Sequence, residues 1–507
     1  MAMTPTHEAY DAVVAGSGIG GMLTAALLSA AGRRVLVAEA QGAPGGYVHS
    51  FQRGPYTLDP AAHLVVDPPM FSRLLEHLGV RDEVTFLDPG DFFSVSLPGL
   101  QMHAPLGLEP FIESFEAALP EQAEQIRAFW EAAAQIHRDA HELPSRAGLG
   151  SLDDINERFP TLMRYRKSTI EQVMDELLPD PRARALCGAV SLYLGLPPSK
   201  LAFIAFSQMV FSHVVNGAAY IEGGLQQLIN ALVLAVERAG GEVLCSTAVE
   251  RIVVEDGRVV GAELAGGAHV TAPIVVSNAD PFKTFGPMLG DDAPVGYLRR
   301  MHRMRPSISG YLLFGATGLD VERAGAGHVN FHYDSWDIED AYRRTLAGEA
   351  AALTVSVPTL VDPTLAPEGE HVLVAAAPMR YDTDADWGAV KASMTPRIVD
   401  RLDALAPGLG ESLTFSEPAT PLTLERFSGN QGGAMYGWDY AADHKSSLRP
   451  DTVTPVNGLY LAGQWTSLGG GFVRSALSGT IAAERILARD GVELPRFMSD
   501  VPATATS

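Results

Sequence analysis

The sequence predicts an α/β fold in which one domain is assembled from three separated segments, and an α+β domain is formed by the two insertions between them. Three observations support this prediction: a strand–helix–strand pattern at the N-terminus, glycine clusters near both ends of the chain, and a long helical insertion that ends in apolar segments. The chain has 507 residues, enough for roughly three domain-sized units.

The composition excludes several classes of protein. Lysine and arginine number 37 and aspartate and glutamate 60, so the net charge is −23, which disfavours nucleic acid as a partner. With 47% hydrophobic and 19% charged residues, the chain is expected to be globular. The two cysteines, Cys187 and Cys245, have no Cys-x-x-Cys spacing, which argues against a disulfide framework and a thiolate metal site. We therefore expect a cytoplasmic enzyme.

The N-terminal segment has the pattern of a nucleotide-binding unit. We predict strands over 10–15 and 34–38 with a helix over 19–31 between them. The turn before the helix matches G-x-G-x-x-G, and Glu39 ends the second strand. Such a turn places a pyrophosphate on the helix N-terminus, and the acid accepts ribose hydroxyls, as in a Rossmann-type domain. The predicted contacts are Gly16, Ser17, Gly18, Ile19, Gly20, Gly21 and Glu39. This motif alone fits both NAD and FAD.

Two further glycine clusters favour FAD. One follows Glu39 closely, and the other connects a predicted strand near 459 to a helix predicted over 473–489. An extended FAD needs two anchor points, and a helix N-terminus facing the flavin pyrimidine would stabilise its anionic reduced form. The additional predicted contacts are Gly45, Gly46, Tyr47, Gly463, Gln464, Gly470, Gly471 and Phe472.

The remaining sequence divides into segments of different character. We assign residues 1–104, 221–286 and 431–507 to a discontinuous FAD-binding domain, 105–220 to a mainly helical apolar insertion, and 287–430 to a β-rich substrate domain. The apolar runs 186–196 and 201–211 either line a substrate tunnel or contact a membrane peripherally. Lys200, which lies between the two runs, is the only lysine or arginine from 186 to 215. Because basic residues normally support membrane docking, their scarcity favours the tunnel.

Several local patterns resemble one flavoprotein family over nearly the whole chain. They are the two glycine clusters, residues 222–225, Val249 with Ile252, residues 257–259 and residues 275–281. Together they are similar to the phytoene desaturase, carotenoid cis–trans isomerase and retinol saturase family. The resemblance implies FAD, a polyene substrate and a position for Val249 beside the adenine. Gln464 stands where the family commonly has an acid, and Tyr47 where a basic or small residue is frequent.

Candidate catalytic residues are few, because the flavin performs the difficult step of removing hydrogen from carbon. Asp59 and His63 follow the segment that the resemblance places beside the flavin, and either could accept a proton or stabilise a cation. Asp59 could instead cap a turn, and His63 could be a wall residue. His328 and His332 have a His-x-x-x-His spacing but lack the glutamate of a zinc protease, so no metal is predicted.

The main functional hypothesis is an FAD-dependent oxidoreductase that abstracts hydride from a long apolar polyene, such as a carotenoid, retinoid or polyene acyl chain, to form a C=C bond. Three alternatives remain: a polyene cis–trans isomerase or saturase that uses reduced FAD, a flavin amine oxidase, and a non-catalytic lipid or prenyl escort protein. The electron acceptor and the oligomeric state are left open.

Overall fold

The computed structural model describes residues 4–61, 63–142, 152–444 and 446–497. Its strands in chain order are Ala12–Ala15 (β1), Val35–Ala38 (β2), Phe51–Arg53 (β3), Tyr56–Leu58 (β4), Val65–Val66 (β5), Phe86–Leu87 (β6), Asp91–Leu97 (β7), Leu100–Pro105 (β8), Ala218–Ile221 (β9), Glu242–Leu244 (β10), Val249–Glu255 (β11), Arg258–Leu264 (β12), His269–Thr271 (β13), Val275–Ser277 (β14), Ser309–Thr317 (β15), Val329–Tyr333 (β16), Ala352–Ser356 (β17), His371–Met379 (β18), Leu413–Ala419 (β19) and Leu459–Leu461 (β20). Its α-helices are Ile19–Ala30 (α1), Pro68–His77 (α2), Leu108–Ala118 (α3), Ala123–Glu142 (α4), Leu152–Arg158 (α5), Pro160–Tyr165 (α6), Ile170–Leu177 (α7), Pro181–Gly188 (α8), Phe203–Asn216 (α9), Gln226–Arg238 (α10), Pro281–Lys283 (α11), Val295–Met301 (α12), Ile338–Leu346 (α13), Trp387–Leu402 (α14), Pro421–Ser428 (α15) and Phe472–Ala488 (α16).

A parallel sheet of five strands carries the glycine clusters. The strand order is β10-β2-β1-β14-β20, so strands from all three segments of the expected first domain lie side by side. The central strand β1 is buried along its whole length and pairs with β2 on one side and β14 on the other. Short apolar strands of this kind are typical of a parallel sheet covered on both faces. The predicted strand and helix positions at the N-terminus are therefore correct to within two residues.

A second sheet has seven strands, in the order β19-β15-β18-β17-β16-β7-β8, and lies opposite the parallel sheet. Neighbouring strands in this sheet are antiparallel, except that β16 and β7 are parallel and pair through Asn330 and Ser94. The hairpin β7–β8 therefore belongs to this sheet, and its predicted assignment to the FAD-binding domain with the rest of residues 1–104 is wrong. Alternating polarity predicts a hairpin but does not indicate which sheet the hairpin joins.

The helical insertion comprises α3 to α9 and packs around a cluster of aromatic side chains. Trp130 is fully buried and lies within 6.2 Å, between ring centroids, of several phenylalanines. The two apolar runs contribute to the same core, with Leu201 and Phe206 also fully buried. Exposed large apolar side chains of the described residues all come from other segments. No helix in the described ranges is long and apolar enough to cross a bilayer.

Helices α1 and α16 approach each other unusually closely. A Cβ atom built on Gly479 would lie 2.1 Å from the carbonyl oxygen of Gly20. The Thr24 hydroxyl donates to that same carbonyl at 2.8 Å and lies 3.0 Å from the Gly479 carbonyl. Only glycine at both positions allows this approach, which brings the N-termini of the two helices to the same cavity.

Candidate active site

A cavity of about 510 Å³ lies between the parallel sheet, the seven-stranded sheet and the helical insertion. One end is formed by the glycine clusters and the other by residues 192–195 and one side of α9. The predicted cofactor contacts that lie in its wall are Gly16, Gly18, Ile19, Gly20, Glu39, Gly45, Gly46, Tyr47, Val249, Gly463, Gln464, Gly470, Gly471 and Phe472. The cavity therefore joins the sites that sequence patterns indicated for a cofactor to the apolar insertion.

The first glycine loop offers free donors at the N-terminus of α1. The backbone N–H groups of Gly18, Ile19 and Gly20 have no protein acceptor among the described residues, and all three line the cavity. Such groups at a helix N-terminus bind anionic oxygen atoms. Ser17 and Gly21 are not among the residues of the cavity wall, so their contact with a cofactor stays a prediction. Both are held inside the loop by hydrogen bonds to neighbouring segments.

Glu39 is buried at the carboxyl end of β2. One of its carboxylate oxygens, Oε2, accepts from the N–H (2.8 Å) and hydroxyl (2.6 Å) of Ser17, and Oε1 accepts from the N–H of Gln41 at 2.7 Å. A carboxylate has about four acceptor positions, so Oε1 retains capacity for a further donor from the cavity. Ser17 thus orients Glu39, which explains its place in the motif.

Asn278, which follows β14, connects the glycine loops of the N-terminal and C-terminal segments. Its Oδ1 accepts from the N–H of Gly21 at 3.1 Å. A Cβ atom on Gly18 would lie 2.5 Å from its Nδ2, and one on Gly463 would lie 2.4 Å from its Oδ1. The glycines therefore make room for this amide. The resemblance had included Asn278 in a matching pattern, but its role was not predicted.

The second glycine cluster presents a matching set of donors at the N-terminus of α16. The N–H groups of Phe472 and Val473 have no protein acceptor among the described residues, and both residues line the cavity. Gly463 has φ +89°, a conformation suited to glycine, and its N–H donates to the Ser478 hydroxyl at 2.6 Å. The loop is thus fixed to its own helix and leaves the helix end open to the cavity.

Three tyrosines with fixed hydroxyl groups form part of the wall between the two glycine clusters and the helical insertion. The Tyr47 hydroxyl donates to the carbonyl of Ala434 at 3.2 Å, Tyr436 to that of Tyr193 at 2.5 Å, and Tyr440 to that of Gly470 at 2.7 Å. Burial raises the pKa of Tyr47 and Tyr436. These rings are rigid, neutral walls. Of the three, only Tyr47 is among the contacts predicted from sequence, because aromatic residues in loops carry no spacing signal.

His63 lies in the cavity wall. No described residue is within hydrogen-bond distance of its ring, although its backbone carbonyl accepts from Nε2 of His328 at 2.8 Å. Burial, with a smaller contribution from the charge of His328, lowers the pKa of His63 to about 4. Its imidazole is therefore neutral at physiological pH and its ring nitrogens are available to a ligand.

Asp59 does not line the cavity. Its carboxylate accepts from the hydroxyl of Ser50 at 2.5 Å, from the hydroxyl of Tyr220, and from the N–H of Leu225 at 3.3 Å. Burial raises the pKa of Asp59, and these donors partly offset the effect. The structure thus separates the two predicted catalytic residues: His63 faces the cavity, whereas Asp59 connects the segments behind it.

His328 immediately precedes β16 and His332 lies on it, and their rings have different partners. Nδ1 of His332 lies 3.4 Å from the Ser96 hydroxyl, while His328 contacts the backbone of His63. Within the described ranges, no group of three or more histidine, cysteine or carboxylate side chains is arranged to hold a metal ion.

The geometry fits an extended dinucleotide. Two helix N-termini offer free N–H groups, Glu39 keeps an acceptor position, and several wall positions have no space for a Cβ atom. Val249 lies in the wall with its neighbours on β11, on the same side as Glu39, whose carbonyl accepts from Thr247.

Comparisons with known proteins agree with this arrangement. The model of the family of flavin containing amine oxidoreductases matches residues 19–317 and 321–487. Prolycopene isomerase 1 of an Oncidium hybrid cultivar is 27% identical, over 96% of this chain and 85% of its own. The neurosporene-forming phytoene desaturase of Rhodobacter capsulatus is 26% identical over 94% and 93%. The all-trans-retinol 13,14-reductase of Danio rerio is 24% identical over 97% and 88%.

Solved structures share the fold. Cyclohexylamine oxidase from Brevibacterium oxydans superposes with a TM-score of 0.63 at 16% identity, over 96% of this chain and all of that one. Rab GDI from Plasmodium falciparum gives a TM-score of 0.53 at 11% identity, over 96% and 100%. The suspected relationship and the prediction of FAD as cofactor are confirmed by these matches taken together. The chain is an FAD-dependent oxidoreductase or isomerase and belongs to the family of flavin containing amine oxidoreductases.

Proposed function

We propose that this enzyme forms a C=C bond in a long apolar polyene by removing a hydride and a proton from adjacent carbons. One observation carries the proposal: the cavity continues from the two glycine clusters into the buried apolar insertion. A chain-like apolar ligand fits a passage whose far wall includes Leu192, Leu194, Ala205 and Met209. The named activities of the isomerase, desaturase and reductase relatives, all on polyenes or retinoids, support this choice.

The cofactor contacts are part of the proposal. The first segment is a Rossmann-type unit in which the N–H groups at the start of α1 bind the pyrophosphate and Glu39 accepts a ribose hydroxyl. Val249 lies against the adenine, and the N-terminus of α16 faces the flavin pyrimidine. Bound FAD supplies a two-electron acceptor. Ser17 and Gly21 hold these contacts in position from behind the cavity wall, and Asn278, which lines the cavity, connects the glycine loops.

His63 is the proposed proton acceptor. Its ring is neutral and its nitrogens have no protein partner among the described residues, so it can accept a proton from the substrate carbon next to the one that loses hydride. The surrounding apolar and tyrosine side chains exclude water, which keeps a cationic intermediate of the substrate from being trapped by hydroxide. Asp59 is a positioning residue, because its oxygens are already engaged by three donors.

An amine substrate is disfavoured by the charges in the wall. The acidic wall residues, Glu39, Glu250 and Asp280, all lie on the segments that form the nucleotide end. Arg474 is a cation in the same wall, and a cation repels an ammonium group. We also propose that the buried apolar runs line a tunnel and do not enter a membrane. If so, the protein should remain monodisperse without detergent and should not sediment with liposomes.

The test is anaerobic mixing of the purified holoenzyme with conjugated polyenes, with detection of flavin bleaching and extraction of products. We expect the flavin band to bleach as a more conjugated product forms. A geometric isomer formed only after prior reduction of the flavin would assign an isomerase instead, and a more saturated product would assign a saturase. Absence of reaction and binding with every polyene would refute the proposal.

His63→Gln and His77→Gln form a matched pair for the proton-transfer step. His77 is exposed on α2 and does not line the cavity. We expect His63→Gln to keep its flavin and to bind polyene but to react at least about tenfold more slowly, while His77→Gln reacts as the wild type does. Equal rates for the two variants would remove His63 from the mechanism.

A further inference from the structure

Arg474 is a cation of the cavity wall that has no counterion. It lies in the first turn of α16, and no carboxylate oxygen of the described residues is within 4 Å of its guanidinium. Its one protein hydrogen bond is long, 3.3 Å from Nη1 to the carbonyl of Leu468. Arginine in a partly buried wall ordinarily pairs with an acid, because the charge is costly to desolvate.

The surroundings add positive potential. The N-terminus of a helix carries a partial positive charge, and the first turn of α16 contains no acidic residue. A second guanidinium, that of Arg449, is 6% exposed and its Nε has no partner among the described residues. The guanidinium carbons of Arg449 and Arg474 lie 4.8 and 5.6 Å from the ring centroid of Tyr440. Two cations thus share one aromatic ring beside the cavity.

Arg474 lies in the part of the cavity wall that is near the helical insertion. Burial, and to a smaller extent the charges of neighbours that include Arg474, lower the pKa of His137 on α4, so this histidine is a neutral neighbour of Arg474. Ser212 and His213 from α9 line the same cavity, followed by the apolar side chains of the tunnel. A ligand that satisfies this wall has an apolar chain and an anionic end.

We propose that Arg474 is a specificity-determining residue that binds the carboxylate at one end of the polyene substrate. The inference rests on the proposed function, since it assumes that a polyene occupies the tunnel. Arginine binds carboxylates through two parallel hydrogen bonds. The Tyr440 ring and the Leu468 carbonyl hold the guanidinium at the junction between the glycine loop and the insertion. The enzyme would then discriminate polyene acids from neutral polyenes of equal length.

The experiment compares a conjugated polyene carboxylic acid with its methyl ester as ligands of the oxidised holoenzyme, in wild type, Arg474→Gln and Arg474→Lys. Dissociation constants come from quenching of protein fluorescence. We expect the wild type to prefer the acid by about tenfold or more, which is the range of a charged hydrogen bond. Arg474→Gln should lose the preference with unchanged ester affinity, and Arg474→Lys should retain part of it.

Arg485→Gln is the matched control, because Arg485 is exposed in the last turn of the same helix and its loss changes the net charge equally. It should preserve the preference for the acid. Equal wild-type affinity for acid and ester, or an equal weakening of both ligands by Arg474→Gln, would overturn the inference while leaving the proposed function intact. A lowered flavin reduction potential with an intact acid preference in Arg474→Gln would identify the reduced flavin as the counterion and overturn it too. If the wild type binds neither ligand, the result contradicts the proposed function, on which this inference rests.

Discussion

Gly479→Ala tests whether the approach of α1 to α16 builds the cofactor site. A Cβ atom at this position would lie 2.1 Å from the Gly20 carbonyl oxygen and 2.8 Å from its carbon, which is about 1 Å or more short of van der Waals contact. Moving one helix away costs roughly 1–3 kcal/mol, as other overpacked cores do. It also stretches the contact of the Thr24 hydroxyl with Gly479. Alanine is the better helix former by about 1 kcal/mol, so the steric cost exceeds the gain.

Gly296→Ala provides the control, because Gly296 lies inside α12 and a Cβ atom there would meet nothing within 4 Å. Chemical denaturation should show Gly296→Ala equal to or more stable than wild type, and Gly479→Ala less stable than wild type by up to about 2 kcal/mol, which is the steric cost less the gain in helix propensity. Because separation of the helices moves the two donor sets apart, Gly479→Ala should also purify with less FAD per chain. A Gly479→Ala protein with full flavin content and the stability of the control would refute this reasoning.

Three further predictions concern buried ionisable groups. Because the pKa of His63 is lowered to about 4, its neutral form persists in mild acid, so kcat/KM should stay level down to about pH 5 and fall toward pH 4; a loss centred near pH 6.5 would contradict this. Burial lowers the pKa of His213 to about 4. Below pH 6.5 the unfolded chain therefore binds more protons than the folded protein, and the free energy of unfolding decreases as the pH is lowered. His213→Phe should therefore reduce the stability difference between pH 7 and pH 5 by about 1–2 kcal/mol, measured by urea denaturation at both pH values. Asp59→Ala leaves the buried Tyr220 hydroxyl without its acceptor and should cost about 2–4 kcal/mol, whereas Asp59→Asn should cost less and keep most of the activity; an inactive but stable Asp59→Asn would show a catalytic role.

Local patterns predicted the parallel sheet well, because each of its strands is a short apolar run next to a glycine turn or a helix. Strands β11 and β12 are joined by the Asp256–Gly257 turn, a pair of residues typical of a tight hairpin, and this turn fixes the register between them. The hairpin β7–β8 was assigned to the wrong domain, because its partner β16 lies more than 200 residues away in the chain. Periodicity describes a strand and its faces but contains no information on such distant partners.

In the candidate site, too, local features were predictable from sequence and contacts between distant residues were not. Residues that act through the backbone, such as the loop glycines, were predicted because a positive φ or a close approach leaves a compositional signature. Arg474 and the wall tyrosines act through side chains that converge only after folding, and nothing in their spacing distinguishes them from surface or core residues. Asp59 was a catalytic candidate because it follows the segment that the resemblance places beside the flavin, and only the folded structure reveals the three donors that already engage its carboxylate.

Asn278 makes the stability of the fold depend on the cofactor. It lies in the middle segment, yet it contacts the loop of the N-terminal segment through Gly18 and Gly21 and that of the C-terminal segment through Gly463. Asn278→Ala removes the acceptor of the Gly21 N–H and leaves space between the loops, so both flavin affinity and stability should decrease. Since FAD binds the assembled loops and not the unfolded chain, added FAD should raise the melting temperature of Asn278→Ala in proportion to the logarithm of its concentration. A variant that keeps both wild-type stability and wild-type flavin content would mean that the loops assemble independently of this amide.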